Sequence, residues 1–311
     1  MATSTLILSD CRTLAYLDYE IQTSSSSDAS PRARNGPTIF YFHGFPGSRL
    51  EGDLLAPTAK RHGARLISID RPGMGLSTFQ PDRTLLDWPR DVLELADHLQ
   101  IPAFYVVGAS GGAPYVFACV KALPRNRLLG ASVVAGIYPL SLGTQGMSMD
   151  NRILLWTASS KWLGGLTGRM MDWAFGAVVR DHEHPERLTD LLVKGMRTKP
   201  EPDAKCFENE WARDRIVEAA RESFRQDGDC VALDIKLIAR DWGFNLEDLN
   251  IEGFRICLWH GKRDANVPVS MAEKAAALMK GVDLRVLEDE AHLSMSLNHQ
   301  DEILKALLVE G

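Results

Sequence analysis

Short apolar runs alternate along the chain with stretches of helical periodicity, and this alternation limits the available folds more than any other feature. The runs Thr38–Phe42, Ala64–Asp70, Phe104–Ala109 and Leu128–Ala135 are short and have little polar alternation. Strands covered on both faces, as in parallel sheets flanked by helices, read in this way. Between them, Leu85–Leu99 sets Leu86, Val92, Leu93, Leu95, Ala96 and Leu99 where they can share much of one helical face, and Gly111–Leu123 reads as a further helix. The pattern predicts an α/β fold with a doubly wound, mostly parallel sheet.

Two β-rich stretches, Thr5–Leu8 and Arg12–Ile21, precede this region, and the Ser-rich run Thr23–Pro37 after them reads as a mobile surface loop. After Tyr138-Pro139 the alternation lapses into amphipathic helices rich in Trp and Met, and strands return only at Phe254–Trp259 and Leu284–Leu287. The division this predicts is a core domain from residues 1–139 and 241–311, with residues 140–240 inserted as a helical cap or lid.

Charge and cysteine usage narrow the partners. With 35 Lys and Arg against 41 Asp and Glu the formal net charge is -6, so the molecule has no overall positive field to gather phosphate backbones, and nucleic acid is not an expected partner. The five cysteines are odd in number and scattered, the pattern of reduced thiols, which points to a cytoplasmic location. Met1–Asp10 lacks a basic segment followed by an apolar one, and no stretch reaches the roughly 18 apolar residues of a membrane span. The expected partner is a small-molecule substrate, and a homodimer is a candidate assembly.

Chemistry is concentrated first at Gly108-Ala109-Ser110-Gly111-Gly112, which fits G-x-S-x-G between an expected strand and an expected helix. A serine on such a sharp turn is held exposed, and small residues on either side let strand and helix approach closely. The Gly111 N–H opens the helix and can stabilise developing negative charge. A second donor, the Phe45 N–H, is expected from the loop His43-Gly44-Phe45-Pro46-Gly47-Ser48, with Pro46 restraining the loop and a candidate for a cis bond. His43 is read as structural.

The segments His43-Gly44-Phe45-Pro46-Gly47-Ser48-Arg49, Asp70-Arg71-Pro72-Gly73-Met74-Gly75-Leu76-Ser77 and Gly108-Ala109-Ser110-Gly111-Gly112 together resemble successive signatures of the α/β-hydrolase superfamily, in its capped serine-hydrolase form. The resemblance covers nearly the whole chain. It implies an eight-stranded sheet and a catalytic triad in the order serine, acid, histidine. In the family the acid usually follows a late strand, which matches Asp264 in Trp259-His260-Gly261-Lys262-Arg263-Asp264. Gly136-Ile137-Tyr138-Pro139, after an earlier strand, offers no carboxylate. His292 follows the last expected strand and is the expected base, whereas His260 and His299 read as packing or surface residues.

On this reading His292 takes the Ser110 proton and Asp264 orients the imidazole. The reaction is hydrolysis of an ester, lactone or thioester of a small, largely apolar molecule through an acyl-enzyme. Two alternatives stay open: cofactor-independent carbon–carbon bond cleavage of a diketone-like metabolite, and a non-catalytic small-molecule-binding role. A serine at the elbow excludes relatives that need a carboxylate nucleophile there. No metal-ligand cluster or dinucleotide fingerprint appears, so no cofactor and no metal are expected. Trp156, Trp162 and Trp173, with neighbouring Met and Phe, either line an apolar pocket above Ser110 or pack the cap, and Tyr138 is the polar candidate near substrate.

Overall fold

A computed structural model describes residues 2–20, 36–160, 162–181 and 183–308. Most of the Ser-rich run read as a loop, residues 23–35, lies outside the described residues. Eight strands form one sheet: β1 (Ser4–Ile7), β2 (Thr13–Tyr19), β3 (Thr38–Phe42), β4 (Arg65–Ile69), β5 (Phe104–Ala109), β6 (Leu128–Val134), β7 (Arg255–Gly261) and β8 (Asp283–Leu287). Their order is β1-β2-β4-β3-β5-β6-β7-β8. The β1–β2 and β2–β4 pairs are antiparallel and all the others parallel.

The absence of polar alternation in β3 follows from burial on both faces. Phe40 and Phe42 point into one apolar cluster and Ile39 and Tyr41 into the other, as the two-residue period of a strand requires. Helix α1 (Gly52–Arg61) and α12 (Gln300–Leu308) cover the Ile39 side, while α2 (Trp88–His98) and α3 (Ala113–Ala122) cover the Phe40 side. Both α2 and α3 start later than their periodicity predicts. Each is preceded by a 3-10 turn, Leu85–Asp87 and Ser110–Gly112, with Pro89 and Pro114 in the first helical turns, where a missing N–H costs nothing. Leu86 is left exposed by that turn. Helix α3 is buried from Ala113 to Val120, being covered by the sheet on one side and by later helices on the other.

Between β6 and β7 the described residues contain helices and no strand. These are α4 (Met149–Ser159), α5 (Gly164–Met171, continuing through a π-helical turn, Asp172–Gly176), α6 (Glu186–Met196), α7 (Glu201–Glu208), α8 (Glu210–Ser223) and α9 (Gly228–Ala239). Val231, Ile235 and Ile238 of α9 join the cluster that holds Trp88 and Tyr115, so α9 anchors the insertion to the sheet. After β7 come α10 (Val269–Leu278), β8 and α11 (His292–Asn298).

Six neighbouring strands run parallel or lie beside a parallel partner, so the turns after β3, β5, β7 and β8 all emerge at one edge. The order reverses at β3, which has β4 on one side and β5 on the other. A crevice outside the carboxyl ends of strands at such a reversal is where ligands of open α/β sheets bind.

Candidate active site

Ser110 follows β5 directly and adopts φ 50°, left-handed backbone that an L-residue takes up only when its surroundings impose it. The surroundings here are tight packing of turn against strand. A Cβ on Gly112 would collide with the Phe42 carbonyl oxygen, and one on Gly108 would stand 2.6 Å from a Val116 methyl. The serine side chain is thereby turned toward the loop after β8. His292 Nε2 lies 2.9 Å from Ser110 Oγ, and His292 Nδ1 lies 2.7 Å from Asp264 Oδ2.

Asp264 is held from behind. Its Oδ1 accepts the backbone N–H groups of Asn266 and Val267, each at 2.8 Å. Burial would favour the neutral acid, but His292 and His260 beside it outweigh burial and keep the carboxyl below its ordinary range, so it stays ionised. For His292 burial works against the charged ring, yet the Asp264 and Asp203 carboxylates outweigh it and raise the imidazole pKa above its usual value.

The other histidines are engaged elsewhere. His260 is buried, donates from Nε2 to the Val267 carbonyl at 2.8 Å and stands 3.4 Å from Asp264. His299 pairs with Glu290 at 2.9 Å. His43 donates from Nδ1 to the Gly44 carbonyl at 2.9 Å and accepts the Arg71 N–H at 3.4 Å. Its burial, with the Arg71 charge alongside, holds it well below the ordinary imidazole pKa and therefore neutral.

Phe45 and Gly111 are neighbours across the crevice. A Cβ on Gly111 would stand 2.7 Å from the Phe45 Cβ and 3.2 Å from its backbone nitrogen. The Phe45-Pro46 bond is cis. Two side chains, half-buried Glu51 and buried Arg71, fix this loop. Glu51 accepts the Gly44 N–H at 3.0 Å and the Tyr41 hydroxyl at 2.5 Å. Arg71 donates to the carbonyls of His43 and Gly44 at 2.5 and 2.9 Å. Arg71 itself is held by Asp234 of α9, which also accepts from Arg83 at 2.8 Å and from the Tyr115 hydroxyl at 2.5 Å.

A further carboxylate from the insertion meets the start of the helix that carries His292. Helix α11 begins at His292 and is preceded by Ala291, which has no side-chain acceptor for the open N–H groups of a first turn. Asp203 of α7 supplies one, accepting from His292, Leu293 and Ser294 at 3.2, 2.8 and 3.0 Å.

Beside Ser110 lies a cavity of about 270 Å³. Tyr41, Phe45 and Glu51 border it from the sheet side, and Leu192, Met196, Phe207 and Ile216 border it from the insertion. A groove of about 630 Å³ adjoins it, sharing Leu54, Leu297 and Gln300 and carrying Glu201, Lys205 and Arg263.

Four expected substrate contacts are not at this cavity. Trp156, Trp162 and Trp173 are 66%, 94% and 82% exposed: α4 and α5 with its continuation bury Leu155, Ala158 and Met171 and turn Trp156 and Trp173 outward, and Trp162 lies in the turn between the helices. Tyr138 is wholly buried between Phe117 and His260, and its hydroxyl has no hydrogen-bond partner among the described residues. The residues that do border the cavity from the insertion, with Asp203, Glu51 and the Arg71–Asp234 pair, escape a reading of the sequence. A signal existed for Asp234 alone, a carboxylate on the apolar face made by Val231, Ile235 and Ile238.

Comparison with known proteins agrees with this architecture. The sequence profile of the alpha/beta hydrolase family matches residues 39–306. A bifunctional esterase/perhydrolase of Acinetobacter calcoaceticus is 29% identical over 113 residues, 36% of this chain and only 41% of that protein's length. Among solved structures, a bromoperoxidase from Bacillus anthracis superposes with TM-score 0.65 at 17% identity, covering 98% of this chain and 99% of the other. An esterase from Exiguobacterium antarcticum gives 0.62 at 15% identity, covering 97% and 98%. A putative aryl esterase from Burkholderia cenocepacia gives 0.63 at 16%, covering 98% and 99%. At these identities the structural likeness concerns the fold.

Proposed function

Because the chain belongs to the alpha/beta hydrolase family, we propose that it is a serine hydrolase acting through an acyl-enzyme on an ester, lactone or thioester of a small, largely apolar molecule. The observation that carries this reading is the unbroken hydrogen-bonded line from Ser110 Oγ through the His292 ring to Asp264. His292 removes the Ser110 proton as Oγ attacks the carbonyl carbon, and ionised Asp264 stabilises the imidazolium and fixes its tautomer. The oxyanion forms toward the backbone N–H groups of Phe45 and Gly111. His292 then protonates the leaving group, and water attacks the acyl-enzyme by the same steps reversed.

Residues 140–240 act as a cap over this chemistry. They supply the apolar wall of Leu192, Met196, Phe207 and Ile216, and the modest cavity volume favours a short acyl group. Fluorophosphonate labelling tests the nucleophile directly. A single adduct is expected on Ser110 by peptide mass spectrometry, and an unlabelled protein would favour a binding role. Rates on p-nitrophenyl esters of graded chain length, set beside rates on β-diketones, are expected to favour short esters; faster diketone cleavage would reverse the assignment of reaction type.

The raised His292 pKa fixes the pH dependence of kcat/KM. The base works only when neutral, so activity rises with pH as His292 loses its proton. Since Asp264 and Asp203 together overcome burial and favour the proton, the midpoint of the acid limb is expected above the ordinary imidazole value of about 6.5. A midpoint at or below that value would mean that the two carboxylates do not outweigh burial at His292.

A further inference from the structure

Helices α4 and α5 carry the same spacing of residues on their outer faces. In α4 it is Met149, Arg152, Ile153 and Trp156, and in α5 with its continuation it is Leu166, Arg169, Met170 and Trp173. Positions i, i+3, i+4 and i+7 share one face of a helix. All six of the apolar residues in these sets are more than half exposed, and Trp162, in the turn between the helices, is almost fully so. The opposite faces pack on α9, so the two helices lie side by side on the outside of the insertion. Scattered exposed hydrophobics are ordinary, but a contiguous face of this kind marks an interaction surface.

The charges on this face identify its partner. Asp172 is paired with Arg180 at 2.8 Å, and Asp150 with Lys199 at 3.3 Å, so the carboxylates carried by the two helices themselves are paired within the chain, while Asp229 of α9 stands beside Gly168 on the side of α5 that packs against α9. Arg152 and Arg169 are exposed and have no carboxylate partner among the described residues; Arg152 approaches only the Met149 sulfur, at 3.9 Å. The protein as a whole carries a formal charge of -6, yet here it presents two unpaired guanidinium groups set among apolar side chains and indoles.

We propose that the α4–α5 face docks on the surface of a phospholipid bilayer bearing anionic headgroups. Indoles sit at headgroup depth, and an arginine can bury its stem while its charged end reaches phosphate. A two-helix face with apolar side chains and basic ends lies in the plane of the interface rather than across it. No helix among the described residues is long and apolar enough to cross a membrane, which agrees with surface docking. Self-association through this face is disfavoured, because it would bring four guanidinium groups together while the carboxylates of the two helices already have partners. The inference is independent of the hydrolase reading.

Cosedimentation of the full chain with vesicles tests it. Binding is expected to vesicles of phosphatidylcholine mixed with phosphatidylglycerol, more weakly to phosphatidylcholine alone, and less as salt is added. Replacing both arginines (R152Q/R169Q) is expected to lower partitioning onto the mixed vesicles about thirtyfold. I153S/M170S is expected to lower it on both kinds of vesicle. Both variants are expected to keep wild-type ester turnover and melting temperature in vesicle-free buffer. Wild-type protein that stays in the supernatant with every vesicle overturns the proposal, as does vesicle binding that neither variant weakens. A concentration-dependent dimer abolished by I153S/M170S, without vesicle affinity, would instead assign the face to a second copy of the chain. Loss of Ser110 labelling with vesicle binding intact would count against the hydrolase reading alone.

Discussion

Ser110→Ala is expected to lower turnover of the best p-nitrophenyl ester by about a millionfold, the scale on which hydrolytic triads fail when the nucleophile is removed. The size of the effect reflects collective action. Without Oγ, the His292 ring has no proton to accept, and the Asp264 carboxylate has no imidazolium to stabilise. What survives is the ability of the crevice to bind substrate and to solvate a developing oxyanion, which is worth about a thousandfold or more over water. The substitution leaves the fold in place, since the side chain's bonding partner is His292 and alanine meets the same backbone demand at φ 50° as serine does. Melting temperature therefore provides the control. A variant as stable as wild type and within tenfold of its rate would remove Ser110 from the mechanism.

The parts of this architecture that can be read from sequence are those with a local cause. Burial on both faces leaves β3 and β5 with continuous apolar runs, the close approach of α3 to β5 requires glycine at 108, and that of the turn after β5 to the end of β3 requires it at 112. Ser110 stands out because its G-x-S-x-G turn follows a strand whose end the apolar pattern marks, whereas Asp264 and His292 are legible through the order that the family resemblance implies, and parallel strands bring those strand ends to one edge. The helical insertion resists such reading for a physical reason. An apolar stripe has the same period whether it packs inward or faces out, so Trp156 and Trp173 carry no sign of their direction until α9 is seen to occupy the other face. Asp203 is equally silent. Its role depends on Ala291 leaving a helix start uncapped some ninety positions later, a relation that only tertiary structure creates.

Asp234 tests how far the helical insertion and the loop after β3 form one unit. Asp234→Ala is expected to destabilise the protein by about 3–5 kcal/mol, because it leaves Arg71 and Arg83 buried without their counter-charge. Burial alone would raise the Asp234 pKa, but the two arginines pull it well below the ordinary carboxylate range. Its contribution is therefore full above the unfolded-state pKa of about 3.9 and is lost only as pH falls through the lower folded value. The variant should consequently lose most stability, relative to wild type, at neutral pH and progressively less in strong acid. Denaturant unfolding at two pH values measures this, and a loss below about 0.5 kcal/mol at neutral pH would mean that the network is stabilised by other means. Activity is expected to fall as well in the fraction that remains folded, since Arg71 holds the His43 and Gly44 carbonyls and so sets the position of the Phe45 N–H. Asp234→Asn separates the two effects. It keeps an acceptor for the Tyr115 hydroxyl and part of the Arg71 contact while removing the charge, so stability should suffer more than the geometry of the loop. If the asparagine variant folds stably but loses as much activity as the alanine variant, the charge on α9 acts on the crevice directly rather than through the position of Arg71.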